Sequence, residues 1–222
     1  MTDGQSARST SVPVSAPDAP PCRVFLLSPA NTAGIRARLL FNTNAAFDIA
    51  KRVREPAGAP IGEVFSFLSG LYFRGKLGYA SAFTRPPRGA GGVHVITTSR
   101  GLVSPDTPVR LDDLREFAAV PIDVDEPRYR EPLARSARDL AVEAKSCDIV
   151  LLGSIATGKY VDIFLEMFGD RLRFPADFAG RGDMSRGGLM LRAVDAGREL
   201  EYIPIAGAIR KGHRPPKLEK RR

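Results

Sequence analysis

The stretch DIVLLGSIATGKYVDIF, residues 148–164, constrains the chain more than any other. An apolar run of strand length empties into Gly153, and Gly158 and Lys159 follow after four residues, ahead of a helix-like segment. Strand, glycine turn and helix in that order make a unit of a parallel α/β sheet. The spacing G-x-x-x-x-G-K is also that of the phosphate-binding P-loop. A P-loop, however, needs a Ser or Thr hydroxyl after the lysine to coordinate Mg²⁺, and Tyr160 stands there. It also needs an acidic residue at the end of another strand. Asp195 follows an apolar run, but the pattern puts it in a turn. A metal-dependent nucleotide loop does not fit. What remains is a helix start with free N–H groups, the Ser154 and Thr157 hydroxyls, and Lys159, a set that binds anions without a metal. The competing reading is a plain strand–helix turn with Lys159 in water.

Two more runs share this design. CRVFLLSPAN (22–31) reads as a buried strand ending in a polar turn, and VHVIT (93–97) runs into TSRGLVSPDTP. Between them, 44–54 has a helical face of Ala45, Ala46, Ile49, Ala50 and Val53. A longer helix starts at Ile61 with the stripe Ile61, Val64, Phe65, Leu68, Leu71 and Tyr72, and Gly70, Gly75 and Gly78 predict a kink or end in its second half. Residues 129–144 form another amphipathic helix. Further on, LRF (172–174) suggests a short strand. GLMLRAV and ELEYIPI, separated by DAGR, suggest a hairpin. The expected fold is α/β, a single domain with a mixed, largely parallel sheet flanked by helices and a C-terminal hairpin. Its expected bounds are a disordered lead at 1–21, the domain at 22–209 and a basic disordered tail at 210–222.

Of the net charge of +8, most belongs to RKGHRPPKLEKRR (210–222), which has seven basic residues and one acidic one. Such a tail attracts any polyanion without sequence preference, or simply solvates a terminus. No apolar stretch reaches the roughly 20 residues that span a bilayer. Residues 1–20 resemble neither a signal nor a transit peptide. Cys22 and Cys147, at the starts of two apolar runs, suit buried thiols in a reducing compartment, and a disulfide is possible but not required. A cytoplasmic protein is expected.

In open α/β sheets, ligands bind outside the carboxyl ends of the strands. The turns carrying Ser28 and Asn31, Ser99 and Arg100, and Ser154 with Lys159 and Tyr160 are therefore expected along one rim. GRGDMSRGG (180–188) is expected to join them as a loop, its glycines allowing close approach and Arg181, Ser185 and Arg186 gripping an anion. The competing reading is a flexible connection with solvated charges. Asp183 is the candidate acid, base or orienting group, with Asp106, Asp162 and Tyr160 behind it. His94 reads as a packed strand residue, and neither cysteine sits in a metal motif, so no metal site is expected and no cofactor is indicated.

FLLSPAN (25–31) resembles the opening strand of the bacterial peroxide-stress YaaA family, which runs into Leu-Ser-Pro-Ala-Lys, and SRGLVSPD (99–106) resembles its second signature. Related bacterial and phage domains also carry a Leu-Tyr segment with a following Arg, here Leu71-Tyr72 with Arg74, and a late strand before a Gly/Tyr helix, here Leu152 to Tyr160. Asn31 stands where the family has lysine. The resemblance implies an α/β protein associated with DNA or nucleotides and no assigned reaction. Together, these features lead us to expect a nucleic-acid- or nucleotide-binding protein. The alternative is a hydrolase or transferase acting on a nucleotide or nucleobase at the same rim.

Overall fold

The computed structural model describes residues 21–156 and 158–208, with Pro215 and Leu218. Residues 1–20 of the expected lead at 1–21, nearly all of the basic tail and Thr157 lie outside the described residues. Three apolar runs become parallel strands: β1 (Arg23–Leu27), β3 (Val93–Ile96) and β6 (Asp148–Leu152). With β4 (Leu102–Val103), β7 (Leu172–Pro175) and β8 (Tyr202–Pro204) they form one six-stranded sheet in the order β4-β3-β1-β6-β7-β8. The four central strands are parallel and the two edge strands antiparallel. β2 (Ala59–Pro60) and β5 (Pro108–Val109) pair separately. Every residue of β1 is buried, as expected for a central parallel strand covered on both faces.

The helices are α1 (Ile35–Phe41), α2 (Asp48–Arg52), α3 (Ile61–Ser69), α4 (Leu71–Phe83), α5 (Leu111–Ala119), α6 (Pro127–Glu143), α7 (Gly158–Phe168) and α8 (Asp183–Asp195). The expected long helix from Ile61 divides at Gly70, whose φ of +61° lets α3 stop and α4 start at an angle. The helical face expected over 44–54 is reduced to α2. α4 packs on β1, β3 and α8, and α6 packs on α7. Right-handed crossovers put these two pairs on opposite faces of the sheet. No helix among the described residues is long and apolar enough to cross a membrane.

The sheet is mixed and largely parallel, and its C-terminal part is an antiparallel strand pair, as the fold class anticipated. The partners are β7 and β8. GLMLRAV, expected as a strand, is instead the body of α8, with Gly187, Met190 and Ala193 buried at a spacing of three. Gly187 lies on α4: a Cβ there would stand 2.8 Å from Leu71 O and 2.9 Å from Tyr72 Cα. Gly75 of α4 faces it in the same way. These glycines let two helix backbones touch.

The two cysteines are joined as a disulfide, Cys22–Cys147. The expectation of free buried thiols is therefore corrected, and with it the argument for a reducing compartment. The physical reason is register. Arg23 lies beside Asp148, so the residue before each strand lies beside its counterpart, with 4.6 Å between their Cα atoms.

The same end of the sheet carries an ion-pair network. Arg23 Nη1 donates to Glu199 Oε1 at 2.5 Å, Arg85 Nη2 to Glu199 Oε2 at 2.6 Å, and Arg173 Nε to Asp148 Oδ1 at 2.8 Å. Partial burial pushes the Glu199 carboxyl up, but Arg85 and Arg23 outweigh it and hold it below its usual range. Its stabilising contribution is thus present above the unfolded value of 4.5 and lost as pH falls below it. Glu199→Gln should cost about 1–2 kcal/mol by urea unfolding at pH 7. That cost should shrink toward zero in acid, and a pH-independent cost would refute the ion-pair account.

Candidate functional site

The chain leaves β1 for β3 on one side and returns to β6 on the other, so a crevice opens where β1 and β6 end. Register puts Ser28 beside Gly153, and Ser28 N–H donates to Leu152 O at 3.2 Å. A cavity of about 430 Å³ lies here, lined by Ser28, Asn31, Tyr72, Ser154, Lys159 and Asp183, among others, and with Tyr160 also in its lining. Six of the residues chosen from sequence are thus brought together: Ser28, Asn31, Ser154, Lys159, Tyr160 and Asp183. The volume is within the usual range for small-ligand sites.

Gly153 explains the opening motif. A Cβ there would lie 2.9 Å from Ser28 Cβ and 3.0 Å from the Tyr160 hydroxyl. The glycine admits the Tyr160 ring, whose hydroxyl lies near the Ser28 side chain and interacts with it and with the Ser154 backbone. Burial pushes the Tyr160 phenol up, keeping it protonated. Tyr160 replaces the metal-binding hydroxyl of a P-loop by turning inward onto Ser28. Lys159 is exposed at the start of α7 and makes no ion pair among the described residues.

α4 supplies two residues that the site selection from sequence passed over. Tyr72 belongs to the core-facing stripe and is 6% exposed, yet it is one of the residues lining the cavity, and its buried hydroxyl donates to no acceptor among the described residues. Desolvation pushes that phenol up to about 12, so it is a donor without an acceptor. Lys76 is fully buried, and its Nζ donates to Ser28 O at 2.5 Å and lies 2.9 Å from Ser28 Oγ. It also sits over the Tyr72 and Phe73 rings, at 4.5 and 4.7 Å. Burial pulls its ammonium down to about 7. The sequence signal was position: Lys76 is one helical turn after Tyr72 on the buried stripe.

The remaining candidates lie elsewhere. Ser99 Oγ donates to Glu116 Oε1, and Arg100 Nη2 donates to Asp113 and Glu116, all at 2.5 Å. The Ser99–Arg100 turn is thus engaged by acidic side chains of α5 and does not line the cavity. The segment 180–188 is not one loop, because α8 begins at Asp183. Arg181 donates to Asp177 O at 2.9 Å and lies 3.4 Å from Ser185 Oγ. Arg186 caps Phe178 O with two N–H groups, at 3.2 and 2.9 Å, and approaches Asp183 at 3.9 Å. Its charge is felt by Tyr72, Lys76 and Tyr160 from behind the cavity wall. His94 and Asp106 line a different cavity of about 570 Å³ that shares no residue with this one. Among the described residues, no group of three His, Cys, Asp or Glu side chains is placed to hold a metal ion. Comparison of the chain with protein-family models, with curated proteins and with solved structures found no match.

Proposed function

We propose that the crevice between the ends of β1 and β6 binds a phosphate-bearing ligand of nucleotide size. The observation that carries this reading is Tyr72, a residue of the cavity lining whose buried hydroxyl is a donor without an acceptor. Lys159 at the start of α7 adds an unpaired cation where helix N–H groups already favour an anion. Asn31 offers its amide at the rim, since its Oδ1 is taken by Ala33 N–H at 2.9 Å. Asp183, at the mouth, is placed to accept from a base or a sugar.

A second reading, the end of a nucleic-acid strand, draws on a neighbouring groove. That groove shares Ser69 with the cavity and carries Arg36, Arg74, Phe67 and Leu39. Cationic and apolar groups side by side suit a sugar-phosphate backbone with stacked bases. The resemblance to YaaA-type proteins points to the same ligand class. The cytoplasmic location belongs to this proposal too. The Cys22–Cys147 pair weighs against it, because disulfides persist in oxidising surroundings.

The test is calorimetry with nucleoside phosphates and fluorescence polarisation with labelled single- and double-stranded DNA at several salt concentrations. Lys159→Ala should weaken binding about tenfold, roughly 1.4 kcal/mol. A chain ending at Gly207 should retain it. Binding that disappears with the segment after Gly207 belongs to the tail and would overturn the cavity reading.

A further inference from the structure

A lysine with no exposed surface and no carboxylate at ion-pair distance among the described residues is costly to keep charged. The ionisable groups facing it are Asp183 and Arg186 of α8 and Tyr72 of its own helix, with Tyr160 of α7 reaching it through Ser28. The opposing charges of Asp183 and Arg186 act in opposite directions, and burial decides the outcome. A purely structural lysine would need only its bond to the Ser28 carbonyl. The second contact, 2.9 Å to Ser28 Oγ, reaches the hydroxyl of a residue that lines the cavity and lies close to the Tyr160 phenol.

We propose that Ser28 Oγ is a nucleophile toward the phosphorus of a phosphate ester held in the cavity, with Lys76 Nζ as its general base. The substrate half of this proposal rests on the phosphate-ligand reading above, whereas the nucleophile and base rest on their own geometry. In the first step the Ser28 Oγ–P bond forms and the bond from phosphorus to the leaving alcohol oxygen breaks. The Ser28 proton passes to neutral Lys76 and from there to the leaving oxygen. In the second step water attacks phosphorus while Lys76 takes its proton, the Oγ–P bond breaks, and Ser28 regains a proton from Lys76. Hydrolysis is complete without oxidant or reductant. Tyr72 and Lys159 line the same cavity as Ser28 and would serve the phosphoryl oxygens on which charge develops. The arrangement has the logic of serine–lysine pairs, in which a desolvated amine activates a hydroxyl.

The experiment is labelling of the full chain with an alkyl fluorophosphonate, in which Oγ–P forms and fluoride leaves, followed by mass-spectrometric location of the adduct. We expect an adduct on Ser28, absent in Ser28→Ala, with a rate that rises through about pH 7. In Lys76→Arg, which keeps a donor to Ser28 O but cannot act as a base, labelling should be roughly 100-fold slower or more. Nucleoside monophosphates should protect the wild type. No adduct on Ser28, or an undiminished rate in a folded Lys76→Arg protein, overturns the nucleophile and base even if nucleotides bind. Where Lys76→Arg does not fold, a wild-type rate that is flat across neutral pH overturns them equally. An adduct on Ser28 that no nucleoside phosphate slows overturns the phosphate-ester substrate and the ligand reading beneath it, leaving the nucleophile in place.

Discussion

Gly187→Ala is expected to destabilise the protein by about 2–4 kcal/mol, although alanine is the better helix former by roughly 1 kcal/mol. The two effects oppose each other, and contact distance decides. The added methyl would meet Leu71 O at 2.8 Å and Tyr72 Cα at 2.9 Å, which are backbone atoms that no rotamer change can move. Either α4 or α8 must shift, and this contact separates Tyr72 and Lys76 on one helix from Asp183 and Arg186 on the other. Ligand binding should therefore fall along with stability. Gly75→Ala pushes on the same contact from the other side, at 2.8 Å from Gly187 O. Once one helix has moved, the second methyl has less to displace, so the double variant should cost less than the sum of the two singles. Thermal and urea unfolding of the three variants would check this. A stabilising Gly187→Ala would mean that the helices are not in backbone contact.

Loss of the Cys22–Cys147 bond is the second large effect. The bond spans 125 residues, and in the chain-entropy description closure of so long a loop limits the unfolded ensemble strongly. The double substitution Cys22→Ala/Cys147→Ala should lower stability by about 2–5 kcal/mol. Wild-type protein unfolded and refolded in reductant should fall to the level of the double variant, which should itself ignore reductant. Equal melting temperatures for wild type with and without reductant would exclude a stabilising bridge. The crevice at the other end of β1 and β6 should keep its ligand affinity wherever the double variant is folded.

Strand positions were readable because β1, β3 and β6 are short apolar runs ending in polar turns, and their parallel pairing made a rim follow. Ser28 and Ser154 could be placed together for that reason alone. Lys76 was not readable as a site residue, since a lysine within a helix ordinarily extends to water, and only the buried stripe through Tyr72, Phe73, Tyr79 and Ala80 betrays its direction. α8 was misread because GLMLRAV alternates like a strand over a few residues, while glycines at its start argue against a helix. Tertiary contact with α4 reversed that local preference. The rim turn at Ser99 and Arg100 failed as a binding element for a reason outside the turn: Asp113 and Glu116 come from α5, which the sequence pattern had not revealed. The cysteine pairing was legible in principle, since each cysteine directly precedes a strand, but it required knowing that those strands are neighbours.

The sheet order also sets a timetable for synthesis. Among the described residues β1 is made before the other strands of the sheet and is a central one in the finished sheet, with β3 on one side and β6 on the other. At ~5–20 residues per second, the ribosome needs roughly 6–25 s to advance from the end of β1 to the end of β6. Throughout that interval the run Val-Phe-Leu-Leu has at least one unsatisfied edge, and for the first half it has two. A product ending before β6 would therefore leave one edge of β1 without its native partner strand.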